Sequence, residues 1–534
     1  MASLKRRVAI VGAGFSGIAA AKTFAEFGHD VVLYERGRTL GGIWAPDNHY
    51  PGLCAQSPGD IFHFGATGST PAQYKRDQPT ADEVYNYLCA YAEEYGVMKR
   101  IQLRTELVKA EPKYDSAFPA EAGGAPVGWR LTLRRTDSGK QEQAEVDVLL
   151  IATGPFSSPS KPPIKGAADF TAGGGVLVHS AELQALVADR TSGGGGGASV
   201  CSGTDLVKFV AGKRVVVVGN GKSGDDLTNM LGEGGTAQSV TQVCRRALWA
   251  MPLHVAGLLH LKYALGSRLG CAFLKPLHAF PPVLSWIHDV VSWFQWRMIE
   301  NVIKWQQGLT KACSVPAEGP EKAMDTRTHV EPRNFFANLR RGLFTRRMSD
   351  LQALEPGAVV LSDGSRLEAD VVILATGYRR NTLPFLPPDL YGKIVRPDGT
   401  LDLYHKAYPF EIGGSSLFVL GWNVGLFVPV AADITARWAL EKVEGRIKVT
   451  QDQMRAYNEH LHEWGDRNFP PNVAADIRGG ATPAYQFEHM DDMLRDMGAS
   501  FKGLSWAEYL DLYVGPINAG LYHRVLRSIP VPAC

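Results

Sequence analysis

Residues 7–44 read RVAIVGAGFSGIAAAKTFAEFGHDVVLYERGRTLGGIW, and the reading of this stretch decides the fold. Arg7–Val11 is a short apolar run of the kind that forms a buried strand. Gly12-Ala13-Gly14-Phe15-Ser16-Gly17 follows without a gap. Ile18–Phe27 is Ala-rich and helical in character, and Gly28 stops it. Asp30–Tyr34 is a second apolar run, closed by Glu35. Strand, G-x-G-x-x-G, helix, strand and acid, in that order, make a dinucleotide-binding unit. Gly12 permits the tight turn, Gly14 lets a pyrophosphate approach the backbone, and Gly17 lets the helix lie close to the strand. The helix N-terminus offers free N–H groups and the positive end of its dipole to the phosphates. Glu35 stands where a carboxylate accepts both ribose hydroxyls, and its charge repels a 2′-phosphate. This first site is expected to take FAD or NAD rather than NADP.

A second unit begins 207 residues later. Arg214–Val218 is its first strand, Gly219-Asn220-Gly221-Lys222-Ser223-Gly224 its turn, 223–231 its helix and Ser239–Cys244 its second strand. This unit ends in Arg245-Arg246, with no acid. Guanidinium groups are bidentate donors to phosphate, so the second site is expected to take NADPH. The competing reading makes Arg245 and Arg246 a solvated strand end.

A chain of 534 residues is long enough for two or three domains. A formal charge of +2 gives no reason to expect nucleic acid or an acidic partner. The seven cysteines include no C-x-x-C pair and no Cys/His cluster at metal-ligand spacing. That pattern predicts a reducing compartment, no disulfide redox centre and no metal site. The first strand starts too early to leave room for a signal peptide, and no uncharged apolar run reaches the ~18–20 residues of a membrane span. A cytoplasmic placement is therefore expected.

Thr80 with Glu83 predicts a capping box for a helix over Thr80–Tyr95. Ile101–Val108 and Trp129–Arg134 alternate like strands, and Val146–Ala152 leads into Ala152-Thr153-Gly154. Lys161–Lys165 reads as a linker and Gly193–Gly197 as a surface loop. Trp249–Gln307 is rich in Leu, Trp and His, and Pro252, Pro276, Pro281 and Pro282 are expected to break it into short helices. A lid over the active site, an interfacial membrane patch and an insert with its own core are all open readings of it. Asp370–Leu374 leads to Ala375-Thr376-Gly377, repeating the earlier triplet. Leu417–Leu420 reads as a strand, and helices are expected from about 430 to 442, over Thr450–Phe469 and over Met490–Tyr513. The fold class is α/β, with two Rossmann-like dinucleotide-binding domains and a helical insert. The expected division is 1–165, 166–330 with the insert 249–307, and 331–534.

Taken together and in this order, GAGFSG at 12–17, Glu35, GGIW at 41–44, ATG at 152–154, GNGKSG at 219–224, Arg245 and ATGY at 375–378 resemble the flavin-containing monooxygenase superfamily. Its inter-unit signature, F-x-G-x-x-x-H-x-x-x-[Y/F], is degenerate here. Gly175 and His179 match, Gly173 stands in the Phe position and Leu183 in the aromatic one. Baeyer–Villiger relatives carry Trp at the Leu183 position, so the resemblance is to the amine- and sulfide-oxygenating type. It implies FAD on the first unit and NADPH on the second. One atom of O2 would pass from a C4a-(hydro)peroxyflavin to a small hydrophobic substrate, with Baeyer–Villiger oxygenation of a ketone as the alternative. It implies flavin-site contacts from Gly12, Gly14, Phe15, Ser16, Gly17, Glu35, Arg36, Gly42, Ile43, Trp44 and the Val108 backbone. NADPH contacts would come from Gly219, Asn220, Gly221, Lys222, Ser223, Gly224, Arg245 and Arg246. Gln56, where the family often has Asn, is implied at the flavin edge as the one catalytic side chain. His179 reads as a structural residue of the domain linker. No side-chain nucleophile is required, and the chain shows no Ser/His/Asp or Cys/His constellation. Peripheral membrane contact through 249–307 and homodimerisation stay open as partner readings.

Overall fold

The computed structural model describes residues 5–66, 74, 76–120, 123–191, 201–309, 315–379 and 383–530. The Gly193–Gly197 run lies outside the described residues. The first unit comprises β1 (Arg7–Val11), α1 (Phe15–Glu26), β2 (Asp30–Tyr34), β3 (Ile101–Gln102), β4 (Thr105–Lys113), β5 (Gly128–Arg135), β6 (Gln141–Val146) and β7 (Val148–Ile151). Next come β8 (Val176–His179), β9 (Arg214–Val218), α2 (Lys222–Gly234), β10 (Ser239–Cys244) and a long helix α3 (Pro282–Gln307). β11 (Thr345–Met348), β12 (Val371–Leu374), β13 (Leu417–Val419) and α4 (Val428–Val443) follow. The tail is α5 (Gln451–Asn468), α6 (Pro471–Arg478), α7 (Gln486–Asp496), α8 (Trp506–Val514) and α9 (Ala519–Ser528).

Two five-stranded sheets carry the molecule, in the orders β13-β7-β1-β2-β3 and β11-β10-β9-β12-β8. Every pairing in both is parallel. Apart from Arg7 and Arg214 at their first positions, β1 and β9 are buried, and β7 and β12 are buried throughout. Such strands need cover on both faces, which is why their sequences are unbroken apolar runs, mostly Val, Ile and Leu. α1 packs on α4 on one side of the first sheet, and β4-β5-β6 form an antiparallel sheet that feeds back into β7.

The Thr80–Glu83 capping box forms as expected, with Thr80 N donating to Glu83 Oε2 at 2.7 Å and Glu83 N to Thr80 Oγ1 at 3.3 Å. Four expectations change. Ile101–Val108 is two strands, because Arg104 takes a left-handed turn (φ 55°). Pro281 and Pro282 begin a 26-residue helix instead of breaking one. Proline suits the first helical position, where its missing N–H would have had no partner. Met490–Tyr513 is two helices, α7 and α8, separated by a stretch containing Gly498 and Gly503, both at positive φ. Finally, the second sheet takes β11 and β12 from beyond residue 330, so the chain leaves that sheet only at Ala375-Thr376-Gly377. A parallel strand is added through a crossover, and crossovers carry neighbouring strands far apart in sequence.

Candidate functional site

The two glycine turns are built alike. Gly12 has φ +105°, and a Cβ there would lie 2.5 Å from the Ala152 carbonyl oxygen. Gly219 has φ +121°, and a Cβ there would lie 2.3 Å from the Ala375 carbonyl oxygen. Only glycine fits such a place, on both torsional and steric grounds. Gly17 and Gly224 are closed in the same manner: a Cβ would meet the Gly12 oxygen at 1.8 Å and the Gly219 oxygen at 2.2 Å. The two Ala-Thr-Gly triplets thus do the same work, each pressing its alanine against one phosphate-type turn. Each turn ends at a helix N-cap, Gly14 or Gly221, with no side-chain capping bond. The free N–H groups of both helices remain available to phosphate oxygens.

Around the first turn, Glu35 is buried and clamped. Its Oε2 accepts from Ala13 N at 2.8 Å and its Oε1 from Gly37 N at 2.7 Å. A carboxylate has about four acceptor positions, so capacity for two ribose hydroxyls remains. Gly41 N donates to Ala13 O at 2.8 Å, and Gly42 packs so close that its Cβ would lie 3.1 Å from Gly14 Cα. The GGIW turn therefore forms the second wall of the first cradle. Trp44 is buried against Phe62 (ring centroids 5.9 Å), which meets Phe15 at 5.2 Å, while Ile43 is partly exposed. Ser16 faces Gly421 of the loop after β13. Arg36 Nη2 donates to Ser157 O at 2.9 Å. Val108 is the extra residue of a β-bulge between the pairs Leu107–Leu133 and Lys109–Thr132. A bulge leaves a residue outside the ladder, so its peptide groups are free for a base edge.

Around the second turn the register makes a distinction that the sequence did not. Gly12 N donates to Tyr34 O, and Gly219 N donates to Val243 O. Val243 is thus the counterpart of Tyr34, Cys244 of Glu35, and Arg245 of Arg36. A neutral thiol occupies the acid's place, and the arginines stand one and two residues beyond it. Both guanidinium groups are exposed and have no ion pair among the described residues. Asn220 Nδ2 donates to Arg246 O at 2.8 Å and ties the strand end to the turn. Lys222 Nζ is held by Asp226 at 2.7 Å, which also accepts from Tyr50 OH at 2.7 Å. Its ammonium is therefore engaged, and the backbone N–H is what Lys222 offers. Ser223 lies beside Tyr50.

The polar knot beneath this turn had no counterpart among the expectations read from the sequence. Asp225 accepts from Gln242 Nε2 at 2.7 Å, Arg346 Nη2 at 3.2 Å and His329 Nε2 at 3.1 Å. Burial opposes its charge, but Arg346, His329 and Gln242 outweigh it and hold its pKa below the usual carboxylate value. Gln242 also donates to Gly219 O at 3.0 Å, so the knot fixes the turn itself. Arg346 and His329 come from segments more than 100 residues away, and no local pattern marks them.

Gln56 lies where both units meet. Its Oε1 accepts from Val330 N at 3.0 Å, and its Nε2 makes no hydrogen bond among the described residues. Beside it is an apolar cavity of about 50 Å³ lined by Met251, Leu261, Leu265, Met324 and Leu426. Past Cys54 and Glu331, the neighbours of that bond, opens a cavity of about 710 Å³, within the range of small-molecule sites.

His179 is fully engaged: Nδ1 accepts from Ala181 N at 3.2 Å and Nε2 faces Gly377 O at 3.0 Å. Burial lowers its pKa, so the ring is neutral with its proton on Nε2. It joins β8 to the second Ala-Thr-Gly turn and faces no cavity described above. Leu183 is buried in the second unit's core.

The donor sets fit the two nucleotides expected of them: a cradle closed to any Cβ with a carboxylate at the first, and the same cradle with unpaired guanidinium groups at the second.

The pyridine nucleotide-disulphide oxidoreductase profile matches residues 6–260, and the flavin-binding monooxygenase-like profile matches residues 207–468. "Probable flavin-containing monooxygenase 1" of Arabidopsis thaliana is 25% identical over 526 residues, covering 92% of each chain. The structure of S-allyl-L-cysteine S-oxygenase from Allium sativum shares the fold with TM-score 0.59 and 18% identity, over 99% of this chain and 93% of that one. Oxidized steroid monooxygenase bound to NADP shares it with TM-score 0.61 and 17% identity, over 93% and 98%.

Proposed function

The chain belongs to the flavin-containing monooxygenase superfamily, and from that premise we propose oxygenation of an amine nitrogen or a sulfide sulfur in a small hydrophobic molecule. It is an NADPH-dependent flavoprotein monooxygenase that uses FAD, NADPH and O2. Bound together, the two cofactors supply hydride transfer, oxygen activation and delivery of one oxygen atom. The observation that carries this reading is the pair of matched turns with opposite electrostatics, Glu35 at one and Arg245 with Arg246 at the other.

The placement of these residues supports the following roles. Gly12–Gly17 and the Gly42 wall would hold the FAD pyrophosphate, Glu35 the ribose and the Val108 backbone the adenine. Arg36 and Trp44 brace that site. Gly219–Gly224 would hold the NADPH pyrophosphate, and Arg245 with Arg246 the 2′-phosphate. Gln56, its oxygen anchored on Val330 and its Nε2 free, would hydrogen-bond the flavin edge. The apolar walls around it keep water from the reacting centre.

Cys54, Cys89, Cys244 and Cys271 are free thiols, as a reducing setting would keep them. No described helix is long and apolar enough to cross a membrane, and peripheral contact through 249–307 or a homodimer would use exposed surface. The test is consumption of NADPH and O2, with peroxide measured, across amines, sulfides, ketones and aromatics. Coupled N- or S-oxide formation is the expected result. Ester formation from ketones moves the protein to the Baeyer–Villiger type, and a protein that cannot be loaded with FAD removes the reading altogether.

A further inference from the structure

Helix α3 has all its charges paired and leaves most of its apolar groups exposed. Its four charged side chains are Asp289, Arg297, Glu300 and Lys304. All four are paired: Asp289 with Lys275, Arg297 with Glu300 and Glu321, and Lys304 with Glu300. The face carrying Ser292, Trp296, Glu300, Ile303 and Gln307 is buried against the protein. On the opposite face, Val283, Ile287, Val291, Phe294, Met298 and Trp305 repeat at three- and four-residue spacing as one stripe. Val283 is 70%, Phe294 64% and Trp305 79% exposed. Asn301 is the single polar side chain within the stripe. Trp286 and Trp293 flank it, both more than half exposed. At 150–250 Å² per aromatic side chain, these two with Phe294 and Trp305 alone expose roughly 500 Å². That already equals the largest apolar patch of an ordinary monomer.

The patch continues at both ends. The hairpin His254–His260 is tied to the last turn of α3 by Gln306, which donates to His254 O and accepts from Ala256 N, both at 2.9 Å. Its tip, Leu258, is 87% exposed. Beyond the first half of α3, α8 packs on the turn Arg268–Cys271 and exposes Trp506.

We propose that this face docks on the surface of a lipid bilayer, with α3 lying in the plane of the interface and held by apolar insertion instead of headgroup charge. This commits the peripheral-membrane reading to one face, and the docking itself does not depend on the oxygenation chemistry. Three features favour lipid over a second copy. A protein interface of this extent carries about ten hydrogen bonds and a polar rim, and the stripe offers one amide. Three of the chain's 11 tryptophans, 286, 293 and 305, are exposed on this helix, and tryptophan concentrates at the lipid–water boundary. The 710 Å³ cavity is lined by His254, Gly257 and Gln306, so it opens beside the same hairpin and helix end.

The test is flotation of the FAD-loaded full chain with phosphatidylcholine vesicles, and with vesicles containing phosphatidylglycerol, at low and high salt. Binding to both, little changed by salt and with tryptophan fluorescence quenched by brominated lipid, is expected. Ile287→Ser/Phe294→Ser/Trp305→Ser should weaken partitioning at least tenfold while FAD content and vesicle-free NADPH oxidation are unchanged. Val291→Arg tests the stripe with one substitution. The proposal is overturned if the native protein stays in the aqueous fraction, if these variants float as well as it does, or if binding needs anionic lipid and disappears with salt. It is also overturned if the protein sediments as a dimer whose tryptophans brominated lipid does not reach.

Discussion

Replacing Arg245 by alanine tests the assignment of the second site. The guanidinium has no partner among the described residues, so its removal leaves no buried charge behind and the folded protein should be unaffected. A charge-assisted hydrogen bond contributes about 1.5–3 kcal/mol. Arg245 and Arg246 are exposed, so solvent screening places the loss at the low end, about 1.5–2 kcal/mol. At 1.36 kcal/mol per factor of ten, that is a rise of roughly 10–30-fold in KM for NADPH. NADH has no 2′-phosphate, and its KM should move less than about twofold. The register supplies a complementary change. Cys244 stands at the place of Glu35, so Cys244→Glu should set a carboxylate against the 2′-phosphate and lower kcat/KM for NADPH while sparing NADH. Steady-state NADPH and NADH oxidation with a fixed substrate gives both ratios. If Arg245→Ala raises the two KM values equally, or Cys244→Glu leaves the coenzyme ratio unchanged, the 2′-phosphate does not lie at this strand end.

Gly219→Ala should abolish detectable NADPH reduction of the flavin while the protein stays yellow, and Gly12→Ala should give protein that cannot be loaded with FAD; absorbance spectra separate the two. Gln56→Ala should raise the peroxide released per NADPH consumed, and unchanged coupling would leave Gln56 outside the reaction. Burial, with His405 and Lys406 nearby, lowers the His489 pKa to about 3, and burial with Lys406 lowers that of His462 to about 3 as well. Unfolded histidine titrates near 6.5, so below that pH the unfolded chain takes up protons that the folded one refuses. Each histidine then removes about 1.4 kcal/mol of stability per pH unit as pH falls from 6.5 toward 3. Unfolding midpoints between pH 7 and 5 should fall accordingly, and His489→Gln should flatten the slope.

The sequence by itself determined whatever is encoded over a short distance. A strand, a glycine turn and a helix occupy some thirty contiguous residues, and the steric demand at Gly12 or Gly219 admits no other residue. Both units and the Thr80 cap were therefore legible, and so was the contrast between Glu35 and the arginines. Cofactors and reaction class followed from those units and from the family they resemble. Tertiary structure decided what depends on register and on distant chain segments. It gave Cys244 the place in the second unit that Glu35 has in the first, brought Arg346 and His329 under the second turn, and added β11 and β12 to the second sheet from beyond residue 330. It also made one helix of 282–307, with Pro281 and Pro282 at its start. Apolar residues of 282–307 fall on both the buried face (Trp296, Ile303) and the exposed one, so periodicity could not say which face is buried. The pairing of Asp289, Arg297, Glu300 and Lys304 with groups on the protein side fixes that face, and it leaves the tryptophans outside.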